Sequence, residues 1–258
     1  MSRTVSKSEL VDSNRLIPDD LINLYRVDER TVVKLCEPFR LAEAEALRYV
    51  RARTSVPVPE VFNAYIDESL DRGVIVMEYV EGEVLRDVWE DMDDARRKKI
   101  VQQLKGFMAE LRSIKGEFIG SVDGTACEDP VFCAEVGGFG PYKTEDEFND
   151  GLIRAMNLAQ QNSWVDHVAK FIKALPAHDI VLTHADLSPR NIIVRGDEVV
   201  AIIDWEMAGF YPAYWEYVKA LYHPEWESRW VADGTIDEII QPYYLEHAVL
   251  CHMQDIVW

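Results

Sequence analysis

Long apolar runs are missing from this sequence, and so are the marks of an exported protein. No stretch approaches the roughly 18 consecutive apolar residues of a membrane span, and the start MSRTVSKSEL lacks the apolar core of a secretory signal. The cysteines are too sparse for a disulfide scaffold and lack zinc-binding spacing; they are Cys36, Cys127, Cys133 and Cys251. The sequence therefore predicts a cytoplasmic protein with no membrane partner.

Positive charge is also scarce. The 258 residues contain 27 Lys and Arg against 46 Asp and Glu, a formal net charge of −19. Nucleic acids and anionic membranes are usually bound by basic patches, so this balance argues against both as partners. It suits a cationic small molecule, although the same charge fits a surface that simply keeps the protein soluble. The length permits one large domain or two small ones.

Strand patterns dominate the first part of the chain. Residues 22–35 are predicted to form two strands around a polar turn, and the apolar spacing of residues 41–53 indicates a helix. A β-branched run at residues 74–80 is typical of a buried strand.

Helical patterns dominate after Gly82, most clearly over residues 94–114. The other predicted elements are a long loop at 120–141, helical structure at 145–174, strands at 180–183, 192–195 and 199–203, and helical structure from Phe210 onward. The change of pattern predicts two lobes, residues 1–82 and 83–258. A hinge at residues 78–82 would join them beside a cleft.

Polar residues with distinctive spacing interrupt the second β-rich region. Asp186 lies in a loop between two apolar strands, Asn191 follows five positions later, and Asp204 ends the next hairpin. Phosphoryl transfer needs a carboxylate beside the attacking hydroxyl and oxygen ligands that hold magnesium against nucleotide phosphates. Each residue alone is better explained as a turn cap or a strand end. Their combined spacing favours the chemical interpretation.

This pattern resembles a known family. The segments HADLSPRN and IIDWE are similar to those of the aminoglycoside phosphotransferase and choline kinase-like superfamily, relatives of the protein kinases. The segments VIVMEYVEGEVL, IGSVDG and DWEMAGFYPAYWEYVKA are similar to those of its fungal members. The resemblance implies an α+β, bilobal protein-kinase-like fold, with a small β-rich N-lobe, a larger mainly helical C-lobe and an active site in the cleft.

The resemblance also implies roles for individual residues. Asp186 would be the catalytic base or hydroxyl-orienting carboxylate, and His184 would support its loop. Asn191 and Asp204 would bind Mg²⁺, and Lys34 would hold the α- and β-phosphates of ATP or GTP.

A helical glutamate would then pair with Lys34. Glu43 is the prediction and Glu45 the alternative, because two residues on a helix lie about 200° apart and only one can face the lysine. The unchosen residue is expected to be a solvated carboxylate.

The run Met77, Glu78, Tyr79 and Val80 resembles the hinge that binds the adenine edge. Further apolar residues are plausible neighbours of the base, namely Leu24, Val32 and Ile203. A buried strand and an ordinary core explain the same residues equally well.

Two departures from the kinase pattern bear on the substrate. No G-x-G-x-x-G precedes Lys34, and the turn at residues 27–30, where such a loop is expected, contains no glycine. The Asp204 motif is DWE rather than DFG, and no A-P-E motif follows it. A protein kinase needs the peptide-binding platform of that segment, so the sequence favours small hydroxyl substrates over proteins.

The acceptor site is the least specified part of the sequence. Residues 128–150 carry seven acids against one base, and residues 204–258 carry ten against two. This acidic rim, with aromatic faces from Trp205, Tyr211, Tyr214 and Trp215, suits a cationic acceptor, and Glu206 is the acid predicted to touch it. An acidic solvated face over an aromatic core is the equal alternative.

The leading hypothesis is a kinase that transfers the γ-phosphate of ATP or GTP to a hydroxyl of a small, cationic amino compound. Such an enzyme is expected as a monomer or weak dimer, with no nucleic-acid partner. A nucleotide-binding pseudokinase that acts through a partner is the alternative, and a protein kinase is disfavoured.

Overall fold

The computed structural model describes residues 3–17, 23–126, 129 and 140–257. The first lobe is a four-stranded antiparallel sheet in the order β1-β2-β4-β3. Its strands are β1 (Leu24–Arg26), β2 (Thr31–Cys36), β3 (Val61–Asp67) and β4 (Arg72–Glu78). Helix α1 (Ala42–Arg53) follows β2 and packs its buried face, which includes Leu47 and Val50, into the same core as the inner face of the sheet.

The outer face of this sheet is covered by residues 3–17, which we call the N-terminal arm. Period-two alternation places Tyr25, Val33, Val74 and Val76 on this face, where Val5 and Leu10 of the arm pack against them. The arm also extends the sheet edge, because Leu16 N–H donates to the Leu24 carbonyl at 3.0 Å.

The second lobe is mainly helical and contains two small sheets. Its helices are α2 (Leu85–Val88), α3 (Asp94–Ser113), α4 (Glu145–Ala159), α5 (Ser163–Lys173), α6 (Trp215–Ala220), α7 (Arg229–Ala232), α8 (Thr235–Ile239) and α9 (Tyr244–Val257). Its strands are β5 (Glu83–Val84), β6 (Gly120–Ser121), β7 (Ile180–Thr183), β8 (Ile192–Arg195), β9 (Glu198–Ile202) and β10 (Gly209–Pro212). The sheet orders are β5-β8-β9 and β6-β10-β7.

Residues 79–82 connect the two lobes. They leave β4 of the first sheet and enter β5, which pairs with β8 of the second lobe. The backbone of Gly82 passes close to β8, since a Cβ there would stand 2.7 Å from the Val194 carbonyl oxygen. Glycine is therefore needed where the connection crosses the strand. Among the described residues, no helix is long and apolar enough to cross a membrane.

Residues 145–174 are helical as expected and form two helices, since the Asn162 side chain caps α5 by accepting from Trp164 N–H and Val165 N–H. Two other expectations about local structure were wrong. Residues from Phe210 onward begin as strand β10, because Gly209 lets this segment approach the Gly120 backbone too closely for a side chain. The predicted loop at 120–141 begins with strand β6, and most of the rest of it lies outside the described residues.

Candidate active site

Lys34 projects from β2 into the cleft and is surrounded by carboxylates. Its Nζ lies 2.7 Å from Glu43 Oε2, 2.9 Å from Asp204 Oδ1 and 3.3 Å from Glu206 Oε2. Glu43 is buried on α1, whereas Glu45 is exposed on the same helix and pairs with Arg48. The structure thus pairs Lys34 with Glu43 and leaves Glu45 in solvent.

The ionisation of this cluster follows from its geometry. Burial alone would lower the pKa of Lys34, but the negative charges of Glu43, Asp204 and Glu206 raise it above its ordinary value. Burial raises the pKa of Glu43 to about 7, against the influence of Lys34. Burial also opposes ionisation of Asp204, yet the charge of Lys34 lowers its pKa. Lys34 is therefore charged at neutral pH and holds the cluster together.

Asp186 faces the cleft from the loop after β7, and both of its carboxylate oxygens are bound. Asn191 Nδ2 donates to Asp186 Oδ2 at 2.7 Å and to the Asp186 carbonyl at 2.9 Å. Arg190 Nη2 donates to Asp186 Oδ1 at 2.6 Å. Ile203 N–H donates to the Asn191 carbonyl at 2.9 Å, which places Asn191 beside the chain that leads into Asp204.

His184 is fully buried beneath this loop and makes only structural contacts. Its Nδ1 accepts from Asp186 N–H at 3.1 Å, so its Nε2 carries the proton donated to the Ile203 carbonyl at 3.0 Å. The ring packs edge-on against Trp205. His184 therefore ties the loop of Asp186 to the strand end that precedes Asp204.

Glu216 supports the same loop and was missed by the sequence analysis. It is buried on α6, and its two carboxylate oxygens accept from His184 N–H at 2.7 Å and Ala185 N–H at 3.2 Å. Burial raises the pKa of this carboxyl. The available signal was a single glutamate between Trp215 and Tyr217, because a carboxylate in so apolar a run needs buried partners.

We expect Glu216→Ala to lower the free energy of unfolding by about 2 kcal/mol, because two buried N–H groups would lose their acceptor. Turnover should fall as well, since Ala185 adopts a left-handed conformation at φ 65° that these bonds help to hold. Urea unfolding and a turnover assay check both effects. Glu216→Gln, which retains one acceptor oxygen, should be intermediate. Glu227→Ala is the control, because Glu227 is exposed. If Glu216→Ala lost no more stability and turnover than this control, the role would be contradicted.

The aromatic acceptor surface expected from the sequence is not present. Trp205 and Tyr211 are fully buried, and so are Tyr214 and Trp215. Trp205 Nε1 donates to the Ile202 carbonyl, and Tyr211 Oη donates to the Met207 carbonyl. The prediction that Trp205 and Tyr211 face an acceptor was wrong, because these rings fill the core of the second lobe.

Several acids of the predicted rim have partners within the protein. Glu145 accepts from His178, and Asp150 pairs with Lys173 at 2.8 Å. Asp129 and Lys219 form a buried ion pair at 3.1 Å. Two further acids of the rim's first part, Glu128 and Glu135, lie outside the described residues. These contacts serve the fold and leave less of the rim free for an acceptor.

Glu206 lies in the cleft but is also engaged. Besides Lys34, it binds Arg40 Nη1 at 3.3 Å, so it links the segment before α1 to the segment after Asp204. Its side chain is 17% exposed. An acceptor that contacts Glu206 would therefore meet a carboxylate that already binds Lys34 and Arg40.

The candidate hinge residues form the end of β4 and the connection after it. Met77 pairs with Val32 across the sheet, and Tyr79 N–H donates to the Arg30 carbonyl at 2.8 Å. The Tyr79 ring lies under the Arg26 guanidinium, 3.9 Å from ring centre to cation. Glu78 Oε2 accepts from Glu60 N–H, and Val80 is half-buried at the start of the connection.

The turn at residues 27–30 does not lie where a phosphate loop is needed. The bond between Arg30 and Tyr79 places this turn at the hinge end of the sheet. Lys34 is opposite Leu24, and Leu35 N–H donates to the Asn23 carbonyl, so the chain that enters β1 passes beside Lys34. The described chain that passes beside Lys34 is therefore the start of β1 rather than the turn at residues 27–30. Residues 18–22 lie outside the described residues.

Asp204 and Asn191 keep oxygens that suit a hard divalent cation. One oxygen each of Glu43, Asp204 and Glu206 lie within 4.8 Å of one another, but Lys34 Nζ binds all three residues, so the Asp204 oxygen that does not bind Lys34 is the one offered to a cation. Asn191 uses its amide nitrogen on Asp186, which leaves its amide oxygen as an acceptor. Carboxylate and amide oxygens are the donors that Mg²⁺ prefers, so this set fits the predicted ion.

Comparison with known proteins agrees with this arrangement. Residues 13–247 match the model of the phosphotransferase enzyme family, APH. The chain belongs to this family. No curated protein matches the chain in sequence.

Solved structures of aminoglycoside phosphotransferases share the fold of this family member. The streptomycin–ATP–APH(2″)-IIa ternary complex is 16% identical, with a TM-score of 0.56, over 93% of this chain and 90% of that chain. The GDP complex of aminoglycoside 2′-phosphotransferase-IIIa is 14% identical, with a TM-score of 0.57, over 92% and 78%. Aminoglycoside-3′-phosphotransferase of type VIII is 19% identical, with a TM-score of 0.56, over 92% and 88%. These matches confirm the bilobal, protein-kinase-like α+β fold.

Proposed function

We propose that this phosphotransferase-family protein transfers the γ-phosphoryl group of ATP or GTP to a hydroxyl of a small molecule. The observation that carries the proposal is the joint arrangement of Lys34, Glu43 and Asp204 opposite the Asp186–Asn191 pair. Family membership and the nucleotide complexes of structural relatives support it. In this assignment residues 1–82 bind the nucleotide, with Met77, Glu78, Tyr79, Val80 and Ile203 around the base, and residues 83–258 supply catalysis and the acceptor site.

Each group has a defined task in the proposed reaction. Lys34, oriented by Glu43, holds the donor phosphates, and Asp204 with Asn191 provides the oxygens for Mg²⁺. That ion, when bound, neutralises charge on the phosphates. Asp186 orients the acceptor hydroxyl and receives its proton. Catalysis then depends mainly on positioning and charge neutralisation, without a covalent enzyme intermediate.

The acceptor class follows from charge. A net charge of −19 favours a cationic compound such as an aminoglycoside or a choline-like amine, by long-range attraction. The kinase-like relatives described above include complexes with streptomycin, which is such a compound. Because Trp205, Tyr211, Tyr214 and Trp215 are buried, recognition would rest on carboxylates rather than on an aromatic cage formed by these rings.

The test is release of nucleoside diphosphate from ATP or GTP, with Mg²⁺, against gentamicin, streptomycin, hygromycin B, choline and simple sugars. We expect acceptor-dependent release, and mass spectrometry should show a phosphate ester on the acceptor. Tight nucleotide binding without transfer to any acceptor or to water would contradict the proposal and favour the pseudokinase alternative.

A further inference from the structure

Arg190 occupies a position on Asp186 that the proposed reaction needs. Asp186 has two carboxylate oxygens, and Asn191 holds Oδ2 at 2.7 Å. The other oxygen, Oδ1, is bound by Arg190 Nη2 at 2.6 Å. An acceptor hydroxyl that gives its proton to Asp186 must reach one of these oxygens, and it then shares that oxygen with the present partner or displaces it.

The two partners differ in how firmly they are held. Asn191 is buried, its Nδ2 binds Asp186 twice, and its backbone carbonyl binds Ile203 N–H. The Arg190 side chain is 57% exposed, and Asp186 is its ion-pair partner within the described residues. Oδ1 is therefore the oxygen that can become available, and Arg190 is the group that can move.

Arg190 also stands close to the groups assigned to the donor side. It lies four residues after Asp186, on the short helical turn Pro189–Asn191. Its neighbour on that turn is Asn191, which is assigned to Mg²⁺. A guanidinium released from Oδ1 would thus remain close to the carboxylate that binds the acceptor hydroxyl and to the residue that binds the metal.

We propose that Arg190 is a further catalytic residue, which exchanges Asp186 Oδ1 for the transferring phosphoryl group when the acceptor hydroxyl binds. This inference rests on the proposed function. The acceptor oxygen forms a bond to the γ-phosphorus as the bond from that phosphorus to the β–γ bridging oxygen breaks. The hydroxyl proton passes to Asp186 Oδ1, and nucleoside diphosphate leaves.

The chemistry of the guanidinium suits this exchange. Charge in the transition state is spread over three equatorial phosphoryl oxygens, which lie between the attacking and leaving oxygens. A planar guanidinium binds such oxygens through two parallel N–H groups, and it cannot lose its proton at neutral pH. Lys34 is bound to Glu43 and Asp204 on the donor side, whereas Arg190 is a cation beside the carboxylate that binds the acceptor hydroxyl.

The experiment compares Arg190→Ala and Arg190→Lys with wild type and with Arg229→Ala. Arg229 is a matched control, because it forms an i,i+4 ion pair with Asp233 at 3.0 Å on α7, away from the cleft. Steady-state kinetics use whichever panel compound wild type phosphorylates and, in parallel, water as the acceptor. Binding of a fluorescent ATP analogue and thermal unfolding are measured on the same samples.

We expect Arg190→Ala to lower kcat by about 100-fold. This is less than the roughly 10³- to 10⁵-fold effect of an arginine finger on phosphoryl transfer. Affinity for the analogue and thermal stability should match those of Arg229→Ala. Added guanidinium ion, at concentrations that leave thermal unfolding unchanged, should restore part of the rate, which a purely structural role would not allow. Arg190→Lys should retain part of the activity.

Unchanged or increased kcat in Arg190→Ala would overturn the inference and show that the arginine only blocks the carboxylate. A matching loss of stability and nucleotide affinity would overturn it in favour of a structural role. Absence of any turnover by wild type, with water or with the panel, would instead overturn the proposed function and the inference with it.

Discussion

Asp186→Asn should lower kcat by roughly 100- to 10,000-fold, the range expected when a positioned general base is lost. The amide keeps the volume of the carboxylate but cannot take the hydroxyl proton. Nucleotide affinity should be nearly unchanged, because the ion pairs of Lys34 with Glu43 and Asp204 do not involve Asp186. Turnover with the acceptor that wild type phosphorylates measures kcat, and binding of a fluorescent ATP analogue measures nucleotide affinity.

The control for this variant is Asp179→Asn. Asp179 lies in the same lobe, is exposed and pairs with Lys115 at 2.8 Å on the surface. Its substitution should leave kcat and nucleotide binding at wild-type values. Full activity in Asp186→Asn would mean that the carboxylate does not handle the proton, and the assigned mechanism would have to be abandoned.

Asp204→Asn should impair both nucleotide binding and transfer. Asp204 is the carboxylate shared between Lys34 and the proposed Mg²⁺ site, so its loss removes one metal ligand and one partner of the lysine. We expect Mg²⁺-dependent affinity for the ATP analogue to fall by about 10- to 100-fold and kcat to fall further. Titrations with Mg²⁺ and with EDTA measure the metal-dependent part of binding.

The chelator makes this second prediction specific. EDTA should weaken nucleotide binding by wild type and have little further effect on Asp204→Asn. Asp197→Asn is the matched control, because Asp197 is exposed and pairs with Lys99 at 2.6 Å. Binding by Asp204→Asn that still responds to EDTA as wild type does would rule out this residue as the metal ligand.

The parts of the molecule that sequence could predict are those with strong local patterns. The helical repeat of residues 94–114 predicts a helix and the β-branched run at residues 74–80 predicts a buried strand, and the structure shows α3 and β4 there. The angular argument that only one of Glu43 and Glu45 faces Lys34 also agrees with the geometry. Each of these features depends on residues near one another in the chain.

The parts that sequence could not specify depend on long-range packing. Trp205 and Tyr211 are aromatic residues of the type that forms a cage around a cationic acceptor. Only their burial shows that they belong to the hydrophobic core. The turn at residues 27–30 precedes Lys34 in the chain, but the antiparallel pairing carries it to the hinge end. Glu216 is separated by about thirty residues from the N–H groups that it binds, so the local sequence can show that it needs buried partners but not which groups they are.

The N-terminal arm has a practical consequence for shortened forms of the protein. The family match begins at residue 13, so a chain trimmed there would retain all the site residues. It would nevertheless lose Val5 and Leu10, which cover the outer face of the first sheet. Bare apolar surface promotes self-association. We therefore expect such trimmed chains to aggregate, so failed activity assays on them would report on solubility rather than on chemistry.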